Sequence, residues 1–518
     1  MEMVSAENRV TPWWAGQLKQ DWKFATLVSS AFFLLALVGV LRHELWSDEI
    51  MFWMMARDNQ TLSELVTTLR FEYMHPWLWG ILLYGISRFT RDPVAMQVLH
   101  ILIATANVFL LCRFAPLPRW QKLLLSFSYF LFYEYSIISR NYGFGVLVIF
   151  LFCTLFPTRK QRYWVLAGIL ALMANVNFFS RLTAIALAAM LAVEWLRDRR
   201  QEKAQLQPWD IILSVLIFAV GMVLSVVQNI PPVHSGGVGG FFPGGGRLGL
   251  VVSAIATVWK SYFPMPGIAL RFWNSNLIDD GFAAALSWIP LGFSIALFYR
   301  RPLILFLYLF NLTEIVLFHS LWAGLLRHYG HIFILFIVCL WLAQNYTPEP
   351  TEAPAPRNPV WRFFQRYQSQ FLGVVLAVQV IAGFYAYTMD WVHPFSQARL
   401  VAQFVRQENL QNYFIAGAID SFTQSVSGHL DQPIFYPERK RLGTYISSDN
   451  RAERLNSQLL LARVAEAATS DQALLVLNKP LDTPIPTIPN WGIQPLPGLQ
   501  PAIVKVENYY LYLFQRLR

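Results

Sequence analysis

LWSDEIMFWMMARDNQTLSELVTTLRFEYMHP, residues 45–76, decides how the rest of this chain is read. It is too polar to stay inside a bilayer, yet it lies between two apolar runs, so the chain leaves the membrane here and then re-enters it. Asp48 and Glu49 stand side by side just after the first run, and His75-Pro76 opens the next. Two adjacent carboxylates at a membrane boundary are costly to desolvate, so something must compensate them or use them. The plainer use is capping, because acidic residues favour the first turn of a helix. The other use is chemistry, and it makes this stretch the candidate active site.

Outward from it, apolar runs recur along a chain of 518 residues that is 55% hydrophobic and 14% charged, with a mean hydropathy of +0.39. That composition is that of an α-helical polytopic membrane protein. Candidate spans fall at about 24–41, 76–90, 94–112, 122–138, 142–157, 163–179, 182–196, 209–227, 248–263, 283–299, 302–320, 330–344 and 371–389. The net charge of +10 sits in short clusters between them: Lys19/Lys23, Arg113/Arg119/Lys122, Arg159/Lys160/Arg162, Arg197/Arg199/Arg200/Lys203, Arg300/Arg301 and Arg357/Arg362/Arg366. Such clusters are topology signals and lipid-headgroup contacts, which argues against a nucleic-acid partner and puts each cluster in the cytoplasm. An inner N-terminus and an inner Arg113 need an even number of crossings between them, so 76–90 is expected to dip in or lie along the interface. If 248–263 also fails to cross, about eleven crossings remain of the thirteen candidates. Phe24–Leu41 lacks a small-residue cleavage site and is read as a retained helix. Cys112, Cys153 and Cys339 lie in or at the end of apolar runs at no metal-ligand spacing.

The expected organisation is a membrane module over 1–345 with outer loops 42–75 and 229–282, a cytoplasmic Pro/Ala-rich linker over 346–370, a last span at 371–390 and an outer soluble α/β domain over 391–518. NIPPVHSGGVGGFFPGGG, from 229 to 246, is too rich in Gly and Pro for a helix. It lacks the Lys-Ser/Thr of a P-loop, so it is read as a mobile lid with a basic, aromatic rim of Lys260, Tyr262, Arg271 and Trp273. In the soluble part a helix is expected at 397–407, a strand at 413–418, a helix at 455–468 and strands at 473–477 and 509–514, with an accessory role.

Charged groups at the ends of spans are functional hypotheses by default. The outer side offers Asp48, Glu49, Glu72, His75, Glu134, Arg140, Tyr142, Asn177, Arg181, Arg327, His328 and His331, carboxylates beside guanidinium groups. That combination suits a site which activates a hydroxyl and holds a phosphate. Arg140, in YFLFYEYSIISRNYG, carries a planar fork that fits a phosphate, although an arginine there also serves as an interfacial anchor. In LLRHYGHIFIL, Arg327, His328 and His331 bunch at the start of an apolar helix. His328 and His331 share a face at i, i+3, but no third metal ligand is identifiable, and phosphate contact is the preferred reading.

Together, WSDE (Trp46 to Glu49) after the first helix, His75-Pro76 opening the next and ISRNYG around Arg140 resemble the GT-C superfamily of integral-membrane glycosyltransferases, in particular the protein O-mannosyltransferase and aminoarabinose transferase branch. The resemblance implies transfer of a sugar, with inversion, from a polyprenyl-phosphate donor to a hydroxyl acceptor on the outer side of the plasma (inner) membrane. It makes Asp48 the general base and Glu49 the group that orients the acceptor or the base. Arg140, and Arg327 with His328 or His331, would neutralise the departing phosphate, and His75 would line the cavity with Tyr142, Arg181, Lys260 and Arg271. The donor's tail needs an apolar groove among membrane lipids; the acceptor could be protein, lipid or glycan. The sequence departs from the family in HPW, where many relatives have HPP, and in NYGFG after Arg140, which lacks the acidic residue that metal-dependent members place there. No cofactor is expected, and transfer independent of divalent metal is. The rival readings are an O-antigen-type glycan ligase or polymerase, which would not need adjacent Asp48 and Glu49, and a lipid or sugar transporter, which usually shows internal repeats.

Overall fold

Inside a bilayer no water is available to backbone N–H and C=O groups, so apolar runs of this length must satisfy them internally, as helices. The computed structural model describes residues 13–72, 75–201, 207–230, 247–348, 359–447 and 452–517. Among them, nine helices are long and apolar enough to cross: Asp21–Arg42, Val94–Phe114, Asn141–Thr158, Phe178–Arg200, Pro208–Val227, Asp280–Phe298, Pro302–Leu321, Leu326–Asn345 and Gln368–Val392. Three shorter apolar helices, Leu78–Ser87, Tyr163–Ala174 and Leu248–Tyr262, complete an α-helical polytopic fold. Leu326–Asn345 is the central helix, covered on nearly every side, whereas Pro208–Val227 turns most of its apolar surface outward, as a lipid-facing helix must.

Two of the short helices do not cross. Leu78–Ser87 has 10 residues, about 15 Å at 1.5 Å per residue, half the thickness of a hydrocarbon core. Beyond it, Arg88 donates to the carbonyl of Ala56 at 2.9 Å, Trp53 Nε1 donates to the carbonyl of Arg91 at 3.1 Å, and Arg91 pairs with Asp431 at 3.0 Å. The chain therefore leaves this helix on the side from which it entered. The second, Arg247–Tyr262, runs in the same direction as Asp280–Phe298: Ser253 bonds Asp280, Ser287 Oγ accepts the N–H of Trp259 at 3.0 Å, and the Tyr262 and Ser294 hydroxyls meet at 2.8 Å. Parallel neighbours require residues 263–279 to climb back between them, which makes 247–262 re-entrant. Most of the Gly-rich stretch before it, 231–246, and part of the linker, 349–358, lie outside the described residues.

The run expected as one span at 122–138 is broken. A helix, Arg119–Ser126, gives way to a widened turn at Tyr129–Glu134. Tyr129, Phe130, Phe132 and Tyr133 are all fully buried there. Room for that many rings comes from Gly383 on the facing helix, where a Cβ would lie 3.2 Å from the backbone of Phe127 and Tyr129.

After Gln368–Val392 the chain forms a six-stranded sheet in the order β3-β2-β1-β4-β6-β5. Its strands are β1 Phe414–Ala418, β2 Ile434–Tyr436, β3 Arg441–Gly443, β4 Gln472–Leu477, β5 Trp491–Pro495 and β6 Tyr510–Arg516. β1 runs parallel to β2 and β4, and the remaining pairs are antiparallel. The strands and helices expected from the sequence match β1, β4, β6, Ala398–Gln407 and Ser457–Ala467; β2, β3, β5 and the helix Asp420–Leu430 come in addition. Asp420–Leu430 joins the sheet domain to the membrane module, because Gly428 lets it pack directly on Ile50 and Met54 of the helix Ser47–Asp58.

If Leu78–Ser87 dips rather than crosses, its far end shares a face with the sheet domain. The described cysteines are buried, so single-cysteine variants Phe89→Cys, at a position 91% exposed, and Leu442→Cys in β3 report cleanly. Both should react with a membrane-impermeant maleimide added to the same side of sealed vesicles. Labelling from opposite sides would make Leu78–Ser87 a crossing.

Candidate active site

The first long helix ends at Arg42, and after a four-residue link the chain starts the helix Ser47–Asp58. Trp46 is extended at its N-cap, with φ −97 and ψ 175, and the Glu49 carboxylate accepts the N–H of Trp46 at 3.3 Å. Glu49 is thus a cap, as acidic residues in a first turn usually are. It does two further things. Its Oε1 accepts the N–H of Ser139 at 2.5 Å, and its Oε2 meets His43 Nε2 at 2.9 Å. On the other side of the ring, His43 Nδ1 meets Asp390 Oδ2 at 2.8 Å, and Tyr133 donates to the same oxygen at 3.1 Å. Burial works against a charge on His43, but the two carboxylates outweigh it and hold the imidazole protonated well above its ordinary value. Glu49, 0% exposed, has both oxygens occupied and presents no free face.

Asp48 is its opposite. The side chain is 33% exposed, and two arginines from distant helices converge on it. Arg327 Nη2 donates to Asp48 Oδ2 at 3.0 Å. Arg140 Nη1 lies 3.5 Å from the same oxygen and also bonds the Asp48 carbonyl. Burial alone would raise the Asp48 pKa, but the charges of Arg140 and Arg327 reverse this and hold it below the 3.8 of a free aspartate. Arg327 is flanked by the rings of Trp46 and Trp273, at 5.4 and 5.6 Å, and its Nη1 has no hydrogen-bond partner among the described residues. Arg140 lies over Phe52, whose ring also meets His75 edge-on at 5.3 Å. Burial and the nearby Arg140 push His75 down to about 3, so it is a neutral imidazole.

Behind this front, His328 takes the N–H of Leu325 on Nδ1 at 2.8 Å, capping its own helix, and faces the Tyr142 hydroxyl with Nε2 at 3.0 Å. His331 lies one layer deeper, against Tyr135, Tyr142 and Phe179. Arg181 is held elsewhere: it donates to the carbonyls of Ala174 and Ser225 at 3.5 and 3.2 Å, closing the ends of two helices. Lys260 pairs with Asp280, and Arg271 is exposed on the returning segment 263–279. Arg181 and Lys260 are thus engaged with partners other than Asp48, and Arg271 lies two residues before Trp273. The structure adds two residues that the sequence reading does not select, His43 and Asp390, and it places Trp46 of the WSDE motif and Trp273 of the expected rim beside Arg327. Asp390 and His43 carry the signal that marks the others, a titratable group at the end of a span.

From the His75 end, Trp77, Leu78 and Ile81 form a groove of about 650 Å³ with the helices Tyr163–Ala174 and Pro208–Val227. Its walls are apolar, and its polar rim is Gln228, which accepts the N–H of Trp77 at 3.0 Å and donates to Asn175 at 2.9 Å.

Fold and site together define a polytopic membrane protein with an acid and two guanidinium groups gathered at the seam between its helices and a soluble sheet domain. No family model matches the chain, and no curated protein matches it. A solved structure similar to it is that of ArnT from Cupriavidus metallidurans bound to undecaprenyl phosphate; the two are 10% identical over 94% of this chain and 97% of that one, with a TM-score of 0.47.

Removing the cation between Glu49 and Asp390 leaves two buried carboxylates facing each other, which costs about 3 to 5 kcal/mol when one partner of a buried pair is lost. His43→Ala should therefore melt well below the parent in detergent. A raised imidazole pKa stabilises fully below 6.5, its unfolded value, and that contribution is lost as pH rises through the folded value. The parent's melting temperature should accordingly fall on the alkaline side, and that slope should be absent in His43→Ala. A variant as stable as the parent would remove His43 from the framework.

Proposed function

We propose that this chain is a GT-C-type membrane glycosyltransferase that moves a sugar from a polyprenyl-phosphate donor to an acceptor hydroxyl, with Asp48 as general base. The observation that carries the reading is the convergence of Arg140 and Arg327 on the partly exposed Asp48 carboxylate, from positions 92 and 279 residues away along the chain. The motifs WSDE, His75-Pro76 and ISRNYG support it independently. The positive-inside pattern supports an extracytoplasmic site.

In the resting arrangement the two arginines keep Asp48 ionised but a poor base. A donor phosphate offers them a better partner, since a guanidinium fork matches phosphate oxygens bidentately and Arg327 Nη1 is unoccupied by any described residue. As the arginines turn to the phosphate, Asp48 loses the charges that depressed its pKa and becomes able to take the acceptor's proton. The acceptor oxygen then forms a bond to the anomeric carbon on the face opposite the phosphate, the carbon–oxygen bond to the phosphate breaks, and the electron pair leaves with the polyprenyl phosphate. The configuration inverts. The two guanidinium groups neutralise the charge that develops on the leaving phosphate, so transfer needs no divalent metal. His75, uncharged, lines the cavity without competing for the anion. Glu49 orients the base, because its carboxylate fixes the backbone just before Asp48 and just before Arg140. The groove beginning at Trp77 suits the donor's hydrocarbon tail.

Asp48→Asn keeps the shape and removes the base. It should lower the turnover of purified protein on a panel of radiolabelled polyprenyl-phosphate sugars by roughly 10²- to 10⁴-fold, the range for loss of a general base, while the protein still inserts and binds donor. Undiminished release of sugar by this variant would end the assignment. Chelation with EDTA should leave turnover unchanged; loss that is restored by a divalent ion would overturn the metal-independent mechanism.

A further inference from the structure

The sheet domain reaches back into this site through one side chain. Glu507 stands in the short turn Lys505–Glu507 before β6 and is fully buried. Its Oε1 accepts the backbone N–H of Ser47 at 2.6 Å, and its Oε2 is bonded to the hydroxyl of Ser396. Ser47 is the first residue of the helix Ser47–Asp58 and the immediate neighbour of Asp48. An N–H at that position has no partner within its own helix and must be satisfied from outside. Here the partner comes from 460 residues along the chain.

The same domain grips the rest of this helix. The Ser47 hydroxyl donates to the carbonyl of Ser421 and accepts from Gln424 Nε2 at 2.9 Å. Asp431 pairs with Arg57 at 2.7 Å, and Thr444 donates to Asp58 at 2.6 Å. Glu507 is the contact nearest the chemistry. Burial lifts its carboxyl to about 8, so at neutral pH it receives the N–H as an uncharged group and adds no third anion beside Asp48 and Glu49.

We propose that Glu507 is a positioning residue for the transfer reaction: by holding the Ser47 N–H it fixes the first turn that aims Asp48 at the acceptor, so the C-terminal domain is a structural part of the active site. This rests on the reading of Asp48 as the base. It departs from the accessory role expected of the domain from its sequence.

Proline at the first helical position tests the bond directly. Ser47→Pro deletes only the N–H from the backbone, its fixed φ suits that position, and the extended Trp46 before it is the conformation a residue preceding proline prefers. Ser47→Ala, which loses the hydroxyl but keeps the N–H, is the reference. With the proposed donor, Ser47→Pro should show kcat at least 10-fold below Ser47→Ala with KM nearly the same, since small misplacements of a catalytic group act on turnover. Glu507→Ala should match it, Glu507→Gln should recover most of the loss because an amide oxygen still accepts the N–H, and the double variant Ser47→Pro/Glu507→Ala should be no worse than either alone. Melting temperatures of all variants, measured alongside, separate misfolding from misaiming, and a kcat loss that persists in variants melting with the parent supports the proposal. Equal kcat for Ser47→Pro and Ser47→Ala, or losses that multiply in the double variant, would overturn it. If Asp48→Asn stays active the transfer reading itself falls; if Asp48→Asn is dead while Ser47→Pro matches Ser47→Ala, only the role of Glu507 falls.

Discussion

A buried carboxylate is tolerable only when the lone pairs it turns away from water find donors, and Glu49 meets that demand on both oxygens. The donors are the N–H of Trp46, the N–H of Ser139 and the ring of His43. None could be exchanged for water without opening the protein, because Glu49 and His43 are both fully enclosed. The consequence is geometric. The loop before Asp48 and the turn before Arg140 are tied to one pair of oxygens, so the distance between the acid and the first arginine is set by a bond that neither of them makes. His43 extends the same knot to Asp390, at the end of the last long helix and the entrance to the sheet domain.

Asp48 and Glu49 are adjacent in sequence and opposite in circumstance, and the period of the helix explains why. Neighbouring residues point about 100° apart on a helix, so one carboxylate turns inward to the cap and to Ser139 while the other turns toward the cavity. The inward one is saturated with short bonds. The outward one keeps a third of its surface and is held by charge, with Arg327 at 3.0 Å and Arg140 at 3.5 Å. Contacts of that kind are exchangeable: a phosphate can replace a carboxylate in front of a guanidinium at little cost, whereas nothing can replace Glu49 without leaving buried N–H groups unpaired. On the proposed mechanism the exchangeable pairing is the reactive one, and the saturated pairing is its foundation.

The same distinction decides how much of the site is legible in the sequence. Asp48, Glu49, Arg140, Arg327 and His328 can be picked out because each is an ionisable group at the edge of an apolar run, where burial has to be explained locally. The tie from Glu49 through His43 ends on Asp390, 347 positions from His43, and no spacing rule reports such a pairing. Asp390 shows in the sequence as an acid at the end of the last span, with nothing to name its partner. Arg181 shows the converse: the signal that selects Arg140 selects it too, yet its guanidinium satisfies helix-end carbonyls at Ala174 and Ser225. The break at Tyr129–Glu134 is hidden because hydropathy does not distinguish a straight helix from an aromatic run wound into a wider turn. Strands of three residues, such as β2 and β3, are too short for any alternation to show.

The two dipping helices give the site its depth. A polar cluster needs water or ligand on one side and a wall on the other, and a helix that crosses completely would carry its next residues to the wrong face. Leu78–Ser87 turns back after 10 residues and leaves Arg91 against Asp431 of the sheet domain. Arg247–Tyr262 turns back as well, and the segment that returns carries Trp273 to Arg327, where its indole also donates to Glu134 at 3.2 Å. Trp46 and Trp273 meet edge to face at 4.9 Å. Beside this pair, 5.4 and 5.6 Å from the two ring centres, the Arg327 guanidinium is desolvated yet stabilised by the aromatic rings, and its planar fork stays aimed at Asp48. A lysine at that position would lose the planar packing and the fork, so the pair of tryptophans, one beside the acid and one on a re-entrant loop, favours an arginine beside it.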